Sequence, residues 1–317
     1  MRPIISVVVP MYNEQEVINT THERLMGVMQ GMNTPFEVIY VNDGSRDGTL
    51  GIVSAWAKAD ARVRLVDFSR NFGHQAAVTC GLSFAHGDAI VIIDADLQDP
   101  PELIPTMFER WKQGVDVVYG KRLERKGETA FKKLTASMFY RFLSFMTDGL
   151  APKDTGDFRL IDHKVCTAIL AMPEHSRFLR GMVAWVGFRQ EPLEYVREPR
   201  FAGTTKYPLK KMLKLASDGV FSFSFKPLKF LTALGAFLGS ISLLWALVAL
   251  ILDGFAAHWL GALVLFCTGL LLLAMGLTGE YLSRMFEEGK GRPHYLVRTT
   301  PDEFYNGEKK RGQIDET

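Results

Sequence analysis

The chain has 317 residues, enough for one medium domain and something smaller, with 37 Lys and Arg against 35 Asp and Glu. A net charge of +2 says little by itself, and no nucleic-acid partner is expected. The three cysteines, Cys80, Cys166 and Cys267, lie far apart; neither a disulfide framework nor a zinc cluster is indicated, and a reducing compartment is the simpler reading.

The apolar run 4–9 is too short for a signal-peptide core and no small-residue cleavage site follows it, so it is expected to be a buried strand. Runs 36–41, 63–68, 89–93 and 115–119 read as further strands, and 14–30, 49–59, 73–85 and 103–113 as the helices between them. Near-continuous apolar strands alternating with helices predict an α/β fold with a mostly parallel sheet covered on both faces. Ligands of such sheets bind beyond the carboxyl ends of the strands. The polar clusters fall at those ends: Tyr12-Asn13-Glu14, Asn42-Asp43-Gly44-Ser45, Ser69-Arg70-Asn71 and Asp94-Ala95-Asp96-Leu97-Gln98-Asp99. One polar crevice is expected. The chain has neither a GxGxxG after the first strand nor a GxxxxGK[ST] loop, so a divalent metal is expected to carry any phosphates.

Asp94 and Asp96 stand two apart at a strand end and offer hard oxygen ligands suited to Mg²⁺ or Mn²⁺. Asp99, before Pro100-Pro101, reads as a turn or helix start. Asp43 directly follows an apolar strand and reads as a ligand, whereas Asp47 suits a helix cap. His74 borders the Arg70-Asn71-Phe72-Gly73 motif.

Residues 230–252 carry no charge and would span about 34 Å as a helix, against a hydrocarbon core of about 30 Å. A second run, about 260–279, follows a short connector, so a transmembrane hairpin is expected over 229–281. Lys206, Lys210, Lys211, Lys214, Lys226 and Lys229 precede it, Arg284, Lys290, Arg292 and Arg298 follow, and the connector 253–259 has neither Lys nor Arg. The positive-inside rule puts the N-terminal domain (1–200), a juxtamembrane segment (201–228) and the tail (282–317) on the cytoplasmic side of the plasma or inner membrane. Residues 131–145 and 209–214 read as amphipathic and suited to the bilayer interface. Arg200 and Lys206 bracket a hydroxyl-bearing stretch suited to a phosphate, and Arg122 and Arg159 are further candidates.

Val8-Val9-Pro10-Met11-Tyr12-Asn13-Glu14, Val41-Asn42-Asp43-Gly44-Ser45, Arg70-Asn71-Phe72-Gly73 and Asp94-Ala95-Asp96-Leu97-Gln98-Asp99-Pro100-Pro101, in that order, resemble family 2 glycosyltransferases of GT-A fold. More narrowly, the chain is similar to polyprenyl-phosphate glycosyltransferases, the group of bactoprenol glucosyltransferases and dolichol-phosphate mannose synthases. The resemblance implies inverting transfer of glucose or an N-acetylglucosamine-like sugar from a nucleotide-diphosphate donor, UDP-linked, to polyprenyl phosphate. It implies nucleoside or donor contacts by Pro10, Tyr12, Asn13, Glu14, Asp43 and Arg70, with Asp94 near the ribose or diphosphate and Asp96 as principal metal ligand. It matches Asp157, in Thr155-Gly156-Asp157-Phe158-Arg159, to an acidic residue near the acceptor. A lipid monophosphate has a second pKa of about 6 and is largely ionised already, so Asp157 has three open roles: base, positioner of the acceptor, or stabiliser of positive charge developing on the sugar. A homo-oligomer, tetramers included, is compatible with the helix pair. The rival readings are a processive polysaccharide synthase, whose Gln-x-x-Arg-Trp motif is missing around Arg110-Trp111, and a non-catalytic scaffold that binds nucleotide sugar or assists lipid translocation.

Overall fold

A computed structural model describes residues 3–123, 155–175, 177–196, 226–251 and 256–301. Arg200, Lys206 and the stretches 131–145 and 209–214 lie outside the described residues. Elements are numbered among those that are described.

Strands β1 (Ile5–Met11), β2 (Phe36–Asn42), β3 (Val63–Phe68) and β4 (Ala89–Ile92) are parallel neighbours in the order β3-β2-β1-β4. The residues of β1, β2 and β4 are all buried, which explains why they read as unbroken apolar runs. Helices α1 (Ile18–Gly31), α2 (Thr49–Ala59) and α4 (Ile104–Lys112) cover one face through Leu25, Met29, Val53 and Phe108. Helices α3 (His74–Ser83), α5 (His163–Leu170) and α6 (Leu179–Trp185) cover the other through Val78, Ile169 and Met182. The expected mostly parallel α/β sheet is present. Because β2 and β4 flank β1 on opposite sides, the chain reverses its progress across the sheet there, and such a switch point opens a crevice at the strands' carboxyl ends.

Three strands had no apolar signature and went unexpected. β6 (Thr155–Asp162) inserts antiparallel between β4 and β5 (Val117–Arg122), and β7 (Gln190–Tyr195) pairs parallel with β5. That pairing carries β5 through the polar residues Lys121 and Arg122, three residues past the expected end at Tyr119. β8 (Val297–Thr299) closes the far edge antiparallel to β3, so part of the expected tail belongs to the sheet. α1 begins at Ile18 rather than at residue 14, because Glu14 closes a turn whose carbonyl accepts from Val17 and Ile18.

Helices α7 (Lys226–Ile251) and α8 (Ala256–Gly289) are 26 and 34 residues long and contact each other. Many of their described apolar side chains, Phe230, Phe237, Leu244, Leu272 and Met275 among them, remain exposed. Within α8, Phe266–Gly289 is long and apolar enough to cross a membrane, and Leu228–Ile241 of α7 is a shorter apolar stretch.

Candidate active site

The crevice is built from loops that hydrogen-bond one another. Asn13, at φ 54°, turns the chain sharply after β1, and Asn tolerates that left-handed conformation better than most residues. Its side-chain oxygen accepts from the Arg46 N–H at 2.8 Å, while its own N–H donates to Ser45 Oγ at 3.0 Å. The Glu14 N–H donates to Thr49 Oγ1 at 2.9 Å. Asp47 accepts the N–H and hydroxyl of Thr49 at 3.1 and 2.6 Å from one residue before the N-cap, which is Gly48 rather than the Asp47 expected there.

Asp43 is buried, and its carboxylate accepts the N–H groups of Phe72 (2.6 Å) and Gly73 (3.0 and 3.2 Å). It thereby clamps the Arg70–Gly73 loop to the end of β2. Burial pushes its carboxyl above the usual range, against the pull of those amides. Gly44, at φ +67°, completes the clamp. A Cβ there would lie 2.5 Å from the Arg70 carbonyl carbon and 2.6 Å from the Asn71 nitrogen.

At the end of β4, Leu97 is held at φ 57°, a conformation costly for a residue with a branched side chain. The loop it shapes carries Asp94, Asp96 and Asp99. Asp99 is fully buried, accepts the Tyr195 hydroxyl, and faces Arg122 Nη2 at 3.6 Å. Arg122 Nε donates to the same hydroxyl at 3.3 Å. The turn read at Asp99-Pro100-Pro101 is present, a 3-10 turn over Pro101–Leu103 that leads into α4; no side chain caps it, and the Asp99 carboxylate instead pins its loop to β5 and β7. Gly156 makes room for this, since a Cβ there would be 2.3 Å from Arg122 Nη2.

Asp157 lies just past the last β4–β6 pair, Ile92↔Arg159, and so faces the loop that carries Asp94. Arg180 grips both its oxygens, Nε to Oδ1 at 2.8 Å and Nη2 to Oδ2 at 3.0 Å. His74 Nε2 sits between the two acids, 3.3 Å from Asp157 Oδ2 and 3.6 Å from Asp94 Oδ1. Burial opposes ionisation of Asp157, yet Arg180 and His74 hold its carboxyl well below the usual range. Burial also opposes the His74 cation, but Asp94 and Asp157 lift it to about 9, so it is an imidazolium at neutral pH. Asp94 is pushed up to about 6 by burial, which His74 counters and the neighbouring acids reinforce.

Asn13, Glu14, Asp43, Asp94, Asp96 and Asp157 thus gather at one end of the sheet. Pro10 is a buried β1 residue paired with Val41, and Tyr12 is half-buried beside it. Arg70 is exposed, its guanidinium 4.0 Å over the Phe72 ring. Arg159 is buried and donates to the Gly156 and Asp157 carbonyls at 2.9 and 3.3 Å, an arrangement that supports the β6 backbone. Sequence reasoning placed His74 only at the border of the crevice and missed Arg180 and Tyr195. The signal for His74 was its place after Arg70-Asn71-Phe72-Gly73; for Arg180 there was only a short helical spacing of Leu179, Met182 and Val183.

Among the described residues, no group of three or more His, Cys, Asp or Glu side chains forms a metal cage. Asp94 Oδ1 is nevertheless buried without a hydrogen-bond partner, and Asp96 stands beside it at the strand end. One or two carboxylates completed by substrate phosphates is a common Mg²⁺ arrangement, and these residues fit it.

The family model for glycosyl transferase family 2 matches residues 6–170, which take in every strand-end loop from β1 to β4 and Asp157. A Bacillus subtilis (strain 168) protein described as the uncharacterized glycosyltransferase YkcC is 50% identical over 96% of this chain and 95% of its own. The bactoprenol glucosyl transferase of Shigella phage SfV is 37% identical over 93% of this chain and 98% of its own. Among solved structures, glucosyl-3-phosphoglycerate synthase from Mycobacterium tuberculosis is 20% identical, with a TM-score of 0.47 over 69% of this chain and 78% of that one. An α/β sheet with an acid-lined crevice at its switch point, together with these sequence relatives, defines a glycosyltransferase. The chain belongs to glycosyl transferase family 2.

Proposed function

We propose that the chain transfers a glucose or N-acetylglucosamine-like sugar, with inversion, from a UDP-linked donor to polyprenyl phosphate at the cytoplasmic membrane face. The observation that carries this reading is the joining of the acid crevice to a long apolar helix. α8 runs into β8, and β8 pairs with β3 beside the Arg70–Gly73 loop. The bactoprenol glucosyl transferase relatives, matched over nearly their whole length, favour a lipid-carrier acceptor. The two helices and the flanking Lys and Arg residues favour a two-span hairpin with both chain ends inside.

In the proposed reaction an ionised phosphate oxygen of the acceptor attacks the anomeric carbon as the bond from that carbon to the nucleoside diphosphate breaks. The loops around Asn13, Asp43 and Arg70 hold the nucleotide. A bound Mg²⁺ or Mn²⁺, held by Asp96 and Asp94, would offset charge on the departing diphosphate. Arg122, which faces Asp99 of the same loop at 3.6 Å, together with Arg200 and Lys206, supplies positive charge for the phosphates. The ionised Asp157 faces the positive charge that develops on the sugar.

Purified full-length protein in lipid nanodiscs, given polyprenyl phosphate, Mn²⁺ and a panel of radiolabelled nucleotide sugars, tests this. A lipid-extractable product with one donor is expected, and its anomeric proton coupling should report inversion. No lipid-linked product with any donor would refute the reading.

A further inference from the structure

We propose that Arg180 is a positioning residue for sugar transfer, acting through Asp157 by fixing that carboxylate in one orientation at the mouth of the crevice. The inference rests on the reading that Asp157 belongs to the transfer site.

Arg180 is presented by α6, which is itself firmly seated. Leu179, Met182 and Val183 bury one side of the helix against α3 and α5, leaving Arg180 on the side towards β6. The Leu179 N–H donates to Gln75 Oε1 at 3.0 Å, and Gln75 adjoins His74 in α3. Gln190 of β7 donates to the Val183 carbonyl at 2.7 Å, fixing the other end of the helix. The two cations that face Asp157 are therefore set by one linked frame.

The contact geometry separates this pair from an ordinary surface bridge. Both oxygens of Asp157 meet the planar fork of Arg180, and a bidentate pair constrains orientation as a single ammonium contact cannot. Asp157 is nearly buried, its side chain 11% exposed, and Arg180 is 27% exposed. An ionised carboxylate offers about four lone-pair sites. Arg180 takes two and His74 stands at a third, so about one remains for substrate. That direction is set by the fork. Without Arg180 the carboxylate would be free to rotate about its last torsion towards His74, away from any substrate-facing orientation.

A merely structural staple between α6 and β6 would look similar in coordinates but behaves differently in kinetics. The test compares Arg180→Ala, Arg180→Lys, Arg180→Gln, Asp157→Asn and the Arg180→Ala/Asp157→Asn pair. It measures kcat, donor KM, thermal midpoint, and the response to added guanidinium. Positioning predicts that Arg180→Ala lowers kcat about 100-fold, the scale of a misplacement near 1 Å, with donor KM changed less than about threefold. Arg180→Lys should recover only part of the loss, the double variant should be no slower than Asp157→Asn, and guanidinium should restore Arg180→Ala but not Asp157→Asn. An Arg180→Gln protein with parental midpoint and parental kcat would overturn the proposal, as would losses that multiply in the double variant. Full activity of Asp157→Asn would instead overturn the reading of Asp157, and with it the role of Arg180.

Discussion

Replacing Gly44 by alanine tests the clamp that joins the β2 and β3 loops. The left-handed backbone at φ +67° costs a residue with a Cβ about 1–2 kcal/mol. The new methyl would lie 2.5 Å from a backbone carbon of Arg70 and 2.6 Å from a backbone nitrogen of Asn71, where ordinary contact begins at 3.4 Å. Neither atom can swing aside as a side-chain tip could, so the loop must withdraw by roughly 1 Å. The Asp43 bonds to Phe72 and Gly73, now 2.6–3.2 Å, would then stretch to the limit of hydrogen bonding or past it. A hydrogen bond to a charged acceptor is worth about 1.5–3 kcal/mol, so the combined loss is about 3–5 kcal/mol. At about 2–4 °C per kcal/mol for a domain of this size, the thermal midpoint should fall by about 6–20 °C. Donor KM should rise more than kcat falls, because this loop meets the nucleotide in the proposed site. Differential scanning fluorimetry and steady-state kinetics at several donor concentrations measure both. A variant with a midpoint within about 2 °C of the parent and an unchanged KM would refute the close approach.

Gly156→Ala puts a methyl 2.3 Å from Arg122 Nη2, so the guanidinium must leave Asp99. The midpoint should fall by a few degrees, and Arg122→Ala combined with Gly156→Ala should be no less stable than Arg122→Ala alone in the same thermal scan. Asp96→Ala removes a half-buried carboxylate at a loop, one that accepts the Gln98 N–H at 3.2 Å, and stability should drop by about 1–2 kcal/mol. Turnover should nonetheless fall at least about 100-fold, and the parent treated with EDTA should lose activity likewise until Mn²⁺ or Mg²⁺ is restored. Truncation after Gly289 removes β8 and the Tyr295 ring stacked 5.0 Å from Phe68, and exposes the edge of β3. Light scattering should report aggregation through that edge, and a truncated chain as stable and monodisperse as the parent would contradict the pairing.

The parts of the fold that sequence revealed are those whose physics is local. β1, β2 and β4 are buried on both faces, so their residues are mostly apolar, with Ser6 and Glu37 satisfied by each other, and their loops announce themselves by a sudden change to polar residues. β6 was hidden because its Asp157 is buried by virtue of a partner, Arg180, on a later helix, and its Arg159 is buried against backbone carbonyls of its own strand, so neither reads as an apolar strand residue. At Asp99 the two following prolines argue for a turn, and the turn exists, but the carboxylate's contact with a tyrosine 96 positions along the chain had no local sign. β7 shows alternating burial only over Pro192–Tyr195, too little for periodicity to stand out. Arg180 has no local signature beyond the short helical spacing of Leu179, Met182 and Val183, since its meaning depends on its partner Asp157 on another element.

The return strand β8 gives the helix pair a mechanical link to the crevice. α8 is 34 residues long, about 51 Å, so a membrane-spanning placement leaves about 20 Å of helix beyond a 30 Å hydrocarbon core. The last turns of α8, within the Phe266–Gly289 stretch, carry Glu280 and Arg284, an i,i+4 pair at 3.2 Å, then Glu287 and Glu288, with Lys290 just past the helix end, residues suited to the headgroup region and water rather than to lipid tails. The chain then turns back to the sheet. The Ser69 N–H donates to the Leu296 carbonyl at 2.9 Å, and Arg298 Nη2 donates to the Ser69 carbonyl at 2.8 Å. Ser69 directly precedes the loop that Asp43 clamps. Any tilt of α8 is therefore felt one residue from Arg70, and in the proposed membrane placement the height of the crevice above the bilayer would be set by strand pairing as well as by the covalent chain. For a soluble acceptor such a tie would have no consequence. For a lipid phosphate confined to the headgroup plane it fixes the distance over which acceptor and donor must meet.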